Sequence, residues 1–175
     1  MELKLMCSYV SYVVPRKLTH KAYKELIYIY NNIEKKFAML ITKSYLKDLV
    51  YHVNGAAIEV HKALGPGLLE SVYHKCLKKE FLLRGISFFS EFIVPVSYKG
   101  LEFETDLRCD FLVEKILVVE LKAIDFVLPI HEAQVLTYMK LLNVPKGLMI
   151  NFNTVNIFNE GQKTFVNELY RGLPD

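Results

Sequence analysis

Glu120 and Lys122 stand two residues apart at the end of an apolar run, Ile116-Leu117-Val118-Val119. If that run is a strand, both side chains leave the same face of a sheet, a carboxylate beside an ammonium. Such a pair is costly inside a core and useful in a site. A second carboxylate, Asp110, sits just before Phe111-Leu112-Val113, on the segment expected to form a hairpin with residues 116–124. Two carboxylates at the mouth of a hairpin suit a hard cation such as Mg²⁺, which takes oxygen ligands and usually keeps several waters. A lysine beside them could orient or deprotonate a water held there.

The two acids meet only in one register. For Asp110 to face Glu120, paired positions must sum to 230, which puts Lys115 at the centre of the turn and an odd number of residues in the loop. A plain two-residue turn at Glu114-Lys115 would send the carboxylates to opposite faces. A site therefore requires a three-residue loop, Glu114 to Ile116, or a bulge.

The elements that must carry these residues are read from periodicity. Residues 1–18 show no clear period; Thr19 is a candidate N-cap, and Ala22, Leu26, Ile27, Tyr30 and Ile33 have helical spacing. Leu46, Leu49, Val50, Val53, Ala57, Val60 and Leu64 define a second helix, stopped by Gly65-Pro66-Gly67. A third runs from near Leu68 to about Arg84. After Gly85 the period turns towards two, in three extended runs: 86–98, a turn at Lys99-Gly100, 101–113, and 116–124. They read as an antiparallel meander. Helical spacing returns through Ala133, Leu136, Met139 and Leu142, and residues 146–153 form a short apolar strand of the buried kind. Residues 154–170 suggest a further strand and a terminal helix. This order predicts a mixed sheet covered by helices, an α/β fold.

Composition narrows the classes. A hydrophobic fraction of 52% with 11 Phe and 11 Tyr excludes a disordered chain. No run approaches the roughly 18 apolar residues of a membrane span, and no leader is framed at the start, so a cytoplasmic protein without a membrane partner is expected. Cys7, Cys76 and Cys109 are dispersed and odd in number, which fits neither a disulfide framework nor a zinc knuckle. Residues 1–50 hold 9 Lys/Arg against 4 Asp/Glu, and residues 51–175 hold 13 against 15, so the charge is +5 in the first part and −2 in the second. Charge alone gives little support to nucleic-acid binding, and that reading must come from the site.

Asp110, nine intervening residues, then Glu120-Leu121-Lys122 resemble the D…ExK signature of the PD-(D/E)XK nuclease superfamily. Gly67-Leu68-Leu69-Glu70-Ser71-Val72-Tyr73 resembles the element for which the small bacterial GxxExxY proteins are named. Together with the runs at 56–73, 119–123 and 131–140, the likeness covers about residues 50–152. It implies a restriction-endonuclease-like core of order αβββαβ over residues 46–175, preceded by a basic, largely helical extension over 1–45. It further implies that Asp110 and Glu120 are metal ligands, assisted by the carbonyl of Leu121, and that Lys122 acts on the attacking water or the scissile phosphate. Glu70 corresponds to the superfamily's helical acid and would bind a second ion or a metal water. Gln134 and Tyr138, four apart on one helical face, look like the Q-x-x-x-Y element of the RecB-like branch and would steady site or substrate. Cys109 replaces the proline that usually precedes the first strand acid.

Each residue also has a plainer reading. Glu120 and Lys122 could be a strand-end ion pair, Glu70 a first-turn acid favoured by the helix dipole, and Tyr138 a packing residue. His61 suits a helix end better than a metal, and Glu132 with His131 opens a helix where an acid is favoured anyway. The expected activity is a Mg²⁺- or Mn²⁺-dependent phosphodiesterase acting on DNA, with RNA as another substrate and a homodimer as one way to cut both strands. The alternative is a catalytically silent module of the same fold that binds nucleic acid or a protein partner.

Overall fold

The computed structural model describes residues 41–103 and 107–175, of which Thr42–Asp175 form one unit. The helix expected over 22–33 and its Thr19 cap lie outside the described residues. Helix α1 (Lys43–Leu64) starts at Thr42, whose hydroxyl accepts the Tyr45 N–H at 3.0 Å. Its inward stripe is Leu46, Leu49, Val50, Val53, Ala56, Ala57 and Val60. Leu64, expected in that stripe, is exposed because the helix ends there, the Gly65 N–H closing on His61 O at 2.8 Å.

Helix α2 (Glu70–Arg84) buries Tyr73, Leu77 and Phe81 at four-residue spacing and stops at left-handed Gly85. Leu69, its N-cap, offers no side-chain bond. Tyr73 instead ties down the turn before the helix: its hydroxyl donates to Gly65 O at 2.7 Å and accepts the Leu68 N–H at 3.1 Å, while its ring stacks on Phe152 at 4.4 Å. Between them the chain turns through Gly67 at φ +92°, a conformation side chains disfavour. The spacing Gly67, Glu70, Tyr73 is thus one device that fixes where α2 begins, and with it the position of Glu70.

The strands are β1 (Phe88–Ile93), β2 (Val96–Tyr98), β3 (Leu101–Phe103), β4 (Arg108–Val113), β5 (Leu117–Lys122), β6 (Lys146–Asn151) and β7 (Gln162–Val166). The two long runs expected at 86–98 and 101–113 are each divided. Pro95, which has no N–H to give a ladder, follows β1, and β2 and β3 form a separate hairpin closed by Lys99-Gly100. The main sheet has the order β1-β4-β5-β6-β7. Only β5 and β6 are parallel; the other neighbours are antiparallel. The crossover between them is α3 (Pro129–Leu141), and short helices α4 (Ile157–Glu160) and α5 (Glu168–Arg171) flank β7. This is the mixed, helix-flanked sheet of a restriction-endonuclease-like α/β fold.

β5 and β6 are buried along their whole length. Helix α3 lies against β6 at Gly147, where a Cβ would come within 2.7 Å of Met139 Sδ and of Val135 Cγ1. That approach packs Val135, Tyr138 and Met139 with Leu112, Val118 and Met149 in one apolar cluster. On α2, Phe81 and His74 meet Phe111, the histidine ring stacked at 4.4 Å. Among the described residues no helix is long and apolar enough to cross a membrane.

Candidate active site

The β4–β5 hairpin pairs Val113 with Leu117, Leu112 with Val118 and Phe111 with Val119. Each pair sums to 230, the register a site requires, and Glu114, Lys115 and Ile116 form the three-residue loop. The loop carries positive φ at Glu114 and Lys115 and closes by an Ile116 N–H to Val113 O bond of 3.1 Å, so Ile116 is the added residue.

At Asp110 and Glu120, the next pair, the ladder stops. β4 continues beside β1, through Cys109 and Arg108, and β5 continues beside β6, through Glu120, Leu121 and Lys122. The two strands therefore fork. Inside the fork Asp110 Oδ2 accepts the Leu121 N–H at 2.7 Å, and Lys122 Nζ donates to Glu120 Oε1 at 2.8 Å. Glu120 is only 4% exposed and Lys122 9%. The other oxygen of Glu120, Oε2, is buried without a hydrogen-bond partner.

Burial at the fork penalises negative charge. It pushes the Glu120 carboxyl up to about 7, with the Asp110 charge adding to the rise and Lys122 opposing it. Asp110 is raised by burial, against the pull of the Leu121 N–H and Lys122. Burial would lower Lys122, but the Glu120 hydrogen bond and the surrounding carboxylates outweigh it and raise the ammonium instead. Cys109, next door and free, is lifted to about 12 by burial and then by the same two acids.

Glu70 joins this group from α2. Burial raises its carboxyl, and the nearby Asp110 charge adds to the rise, while the charge of Lys122 and the backbone of Ala123 oppose it. Gln134 and Tyr138 are hydrogen-bonded to one another, amide nitrogen to hydroxyl at 2.8 Å, and Tyr138 lies within the field of Glu120. The remaining candidates have structural partners. His61 Nε2 meets Thr154 O at 2.8 Å, His131 Nδ1 accepts the Leu128 N–H at the start of α3, and Glu132 pairs with Lys163.

A family model described as the PD-(D/E)XK nuclease superfamily matches residues 47–164, more than half of the chain. The chain belongs to that superfamily. Neither a search of curated proteins nor one of solved structures gives a match. PD-(D/E)XK nucleases are generally dependent on a divalent metal, and the fork can be tested for that group. Among the described residues no group of three or more His, Cys, Asp and Glu side chains is arranged to hold a metal ion. A cation that keeps its waters needs only one or two carboxylates. A buried and a half-buried acid, both with raised pKa values, and a Glu120 Oε2 left without a partner are the environment such a cation would relieve. The residues fit the group.

Three features escape the sequence. Glu91, directly across β4–β1 from Asp110 in the register, adopts φ +51° in mid-strand, and its charge raises Asp110. As an exposed residue of the alternating β1 pattern it passes for an ordinary surface acid in a period-two reading, and only the pairing with β4 brings it to Asp110. His74, one turn beyond Glu70, sets Nε2 3.4 Å from both Asp110 O and Ser90 Oγ; its four-residue spacing from Glu70 was the available signal. Asn151, opposite Lys122 on β6, is buried and clamps the chain after β5: Oδ1 accepts Ile124 N–H at 3.1 Å and Nδ2 donates to Ile124 O at 2.8 Å. A polar residue directly after the apolar run Leu148-Met149-Ile150 could have marked it.

Proposed function

We propose that the chain is a divalent-metal-dependent phosphodiesterase that cuts DNA at the fork between β4 and β5. The observation that carries this reading is the Asp110, Glu120 and Lys122 constellation at the point where the ladder opens, with one Glu120 oxygen buried and unpartnered. Asp110, Glu120 and the Leu121 carbonyl would hold Mg²⁺ or Mn²⁺, and Glu70 would take a second ion or its water. Bound there, the cation supplies Lewis acidity and neutralises charge at the reacting phosphate.

The chain's own groups do the rest. Lys122, tethered by Glu120, places a positive hydrogen-bond donor where negative charge grows on the phosphoryl oxygens as water attacks phosphorus and the bond to the leaving oxygen breaks. Gln134 and Tyr138 brace the Glu120 side of the fork. The wall of α3 and β6 keeps that side dry, which strengthens each of these interactions. The Gly67, Glu70 and Tyr73 device and the Gln134, Tyr138 pair support assignment to the GxxExxY family and the RecB-like branch. Residues 46–175 are then the nuclease domain and 1–45 its extension, and two copies would be needed to cut both strands of a duplex.

Labelled single- and double-stranded DNA incubated with Mg²⁺, Mn²⁺ or EDTA tests this directly, with wild type set beside Glu120→Ala and Lys122→Ala. Metal-dependent cutting by wild type, lost in both variants, is the expected result. Equal cutting by all three, or none by the wild type, moves the assignment to a silent binding module. The same assay on RNA decides the nucleic acid.

A further inference from the structure

A cavity of about 380 Å³ opens beside the fork, between α2 and the Asp110 end of β4. One part of its lining is acidic, with Glu70, Glu91 and Asp110; another part is Ser71, Lys75 and Lys78. These last three are spaced by four and three residues, which places them on one face of α2. That face is distinct from the buried stripe of Tyr73, Leu77 and Phe81. Both lysines are exposed.

Lysines that share a cavity with carboxylates ordinarily pair with them. None of the ion pairs among the described residues includes Lys75 or Lys78. Two cations are thus held next to the fork without being consumed by it, in a part of the chain whose charge balance is negative overall. Along the helix axis Lys75 and Lys78 are about 4.5 Å apart and Ser71 and Lys78 about 10 Å, so one strand of a polyanion can lie along the row. Charge on such a row reads the backbone and not the bases.

We infer that Ser71, Lys75 and Lys78 form a ridge that binds the phosphodiester backbone of the strand entering the site, the lysines meeting consecutive phosphates and the serine hydroxyl donating to one next to the scissile bond. The ridge rests on the phosphodiesterase reading and adds to it: it gives the substrate one direction of entry, along α2, and predicts little dependence on base sequence.

The test is equilibrium binding of a labelled single-stranded oligonucleotide to the full chain carrying Glu120→Gln, over a series of salt concentrations. Lys75→Gln with Lys78→Gln is compared with Lys62→Gln with Lys140→Gln, which removes the same charge elsewhere. Each phosphate that is no longer neutralised by a lysine lowers the slope of log affinity against log salt by about 0.7. The ridge pair should therefore lose about 1.4 in slope, the distant pair much less, and Lys75→Arg with Lys78→Arg should restore it. Equal slopes for the two glutamine pairs overturn the ridge while wild-type cutting of DNA leaves the phosphodiesterase reading intact. Absence of both binding and cutting by the wild type overturns the two together.

Discussion

The two ends of the β4–β5 hairpin are built from the same two strands and obey opposite rules. At the closed end Phe111, Val113, Leu117 and Val119 are fully buried and paired across the ladder, and Phe111 packs edge-on against rings from α2 and β1. At the open end, one residue further, the ladder is abandoned, acids replace the apolar residues, and a carboxylate oxygen is left dry and unbonded. The closed end contributes stability by removing apolar surface from water. The open end holds like charges together in a place that disfavours them, and it depends on the closed end for its alignment.

Substitutions can separate these roles. The largest effect is expected from Glu120→Gln, which should lower DNA cleavage on the order of 10³-fold yet leave metal-free protein melting no lower than wild type at neutral pH. Phe111→Ala should do the reverse in kind, costing about 3 kcal/mol or more of stability through the cavity it leaves, read as a shifted urea midpoint.

A subtler contrast lies in pH. Because the Glu120 carboxyl is held at about 7 in the folded protein, above its ordinary value, the stability linked to it is complete below the ordinary carboxylate range. It is lost as pH rises through about 7. Metal-free protein should lose on the order of 2 kcal/mol between about pH 5 and pH 8. Glu120→Gln should remove most of that slope, and Asp110 and Glu70, raised in the same direction, account for the remainder. If urea titrations show wild type and variant falling in parallel, the strain at the open end lies elsewhere. The smallest effect should come from Tyr73→Phe. Loss of the hydroxyl bridging Gly65 and Leu68 should cost about 1 kcal/mol and reduce cleavage through a looser Glu70, and Phe at 73 should leave the stack on Phe152 in place.

Much of this arrangement is legible in the chain because it is local. Asp110 and Glu120 lie on adjacent strands joined by a short loop, so demanding that they meet dictates the loop length, and Glu114-Lys115-Ile116 supplies it. Helix limits followed from Gly65 and Gly85, where the chain needs positive φ. What could not be read depends on partners distant in sequence. The division of the long runs into β1 with β4 and β2 with β3 is decided by pairing, with Pro95 as the local hint. Glu91 alternates in β1 like any surface residue and meets Asp110 only through the pairing of β1 with β4, and Asn151 acts on Ile124 only through the parallel pairing of β6 with β5.

Glu91 has one more consequence. A non-glycine residue in the left-handed region costs about 1–2 kcal/mol, and glycine would occupy φ +51° freely. Glu91→Gly should therefore give a sturdier protein that has lost the carboxylate facing Asp110 across the cavity. Selection for thermal resistance alone would drift toward glycine at this position, and selection for the site would hold the glutamate. Position 91 is where robustness and performance are traded against each other in this fold.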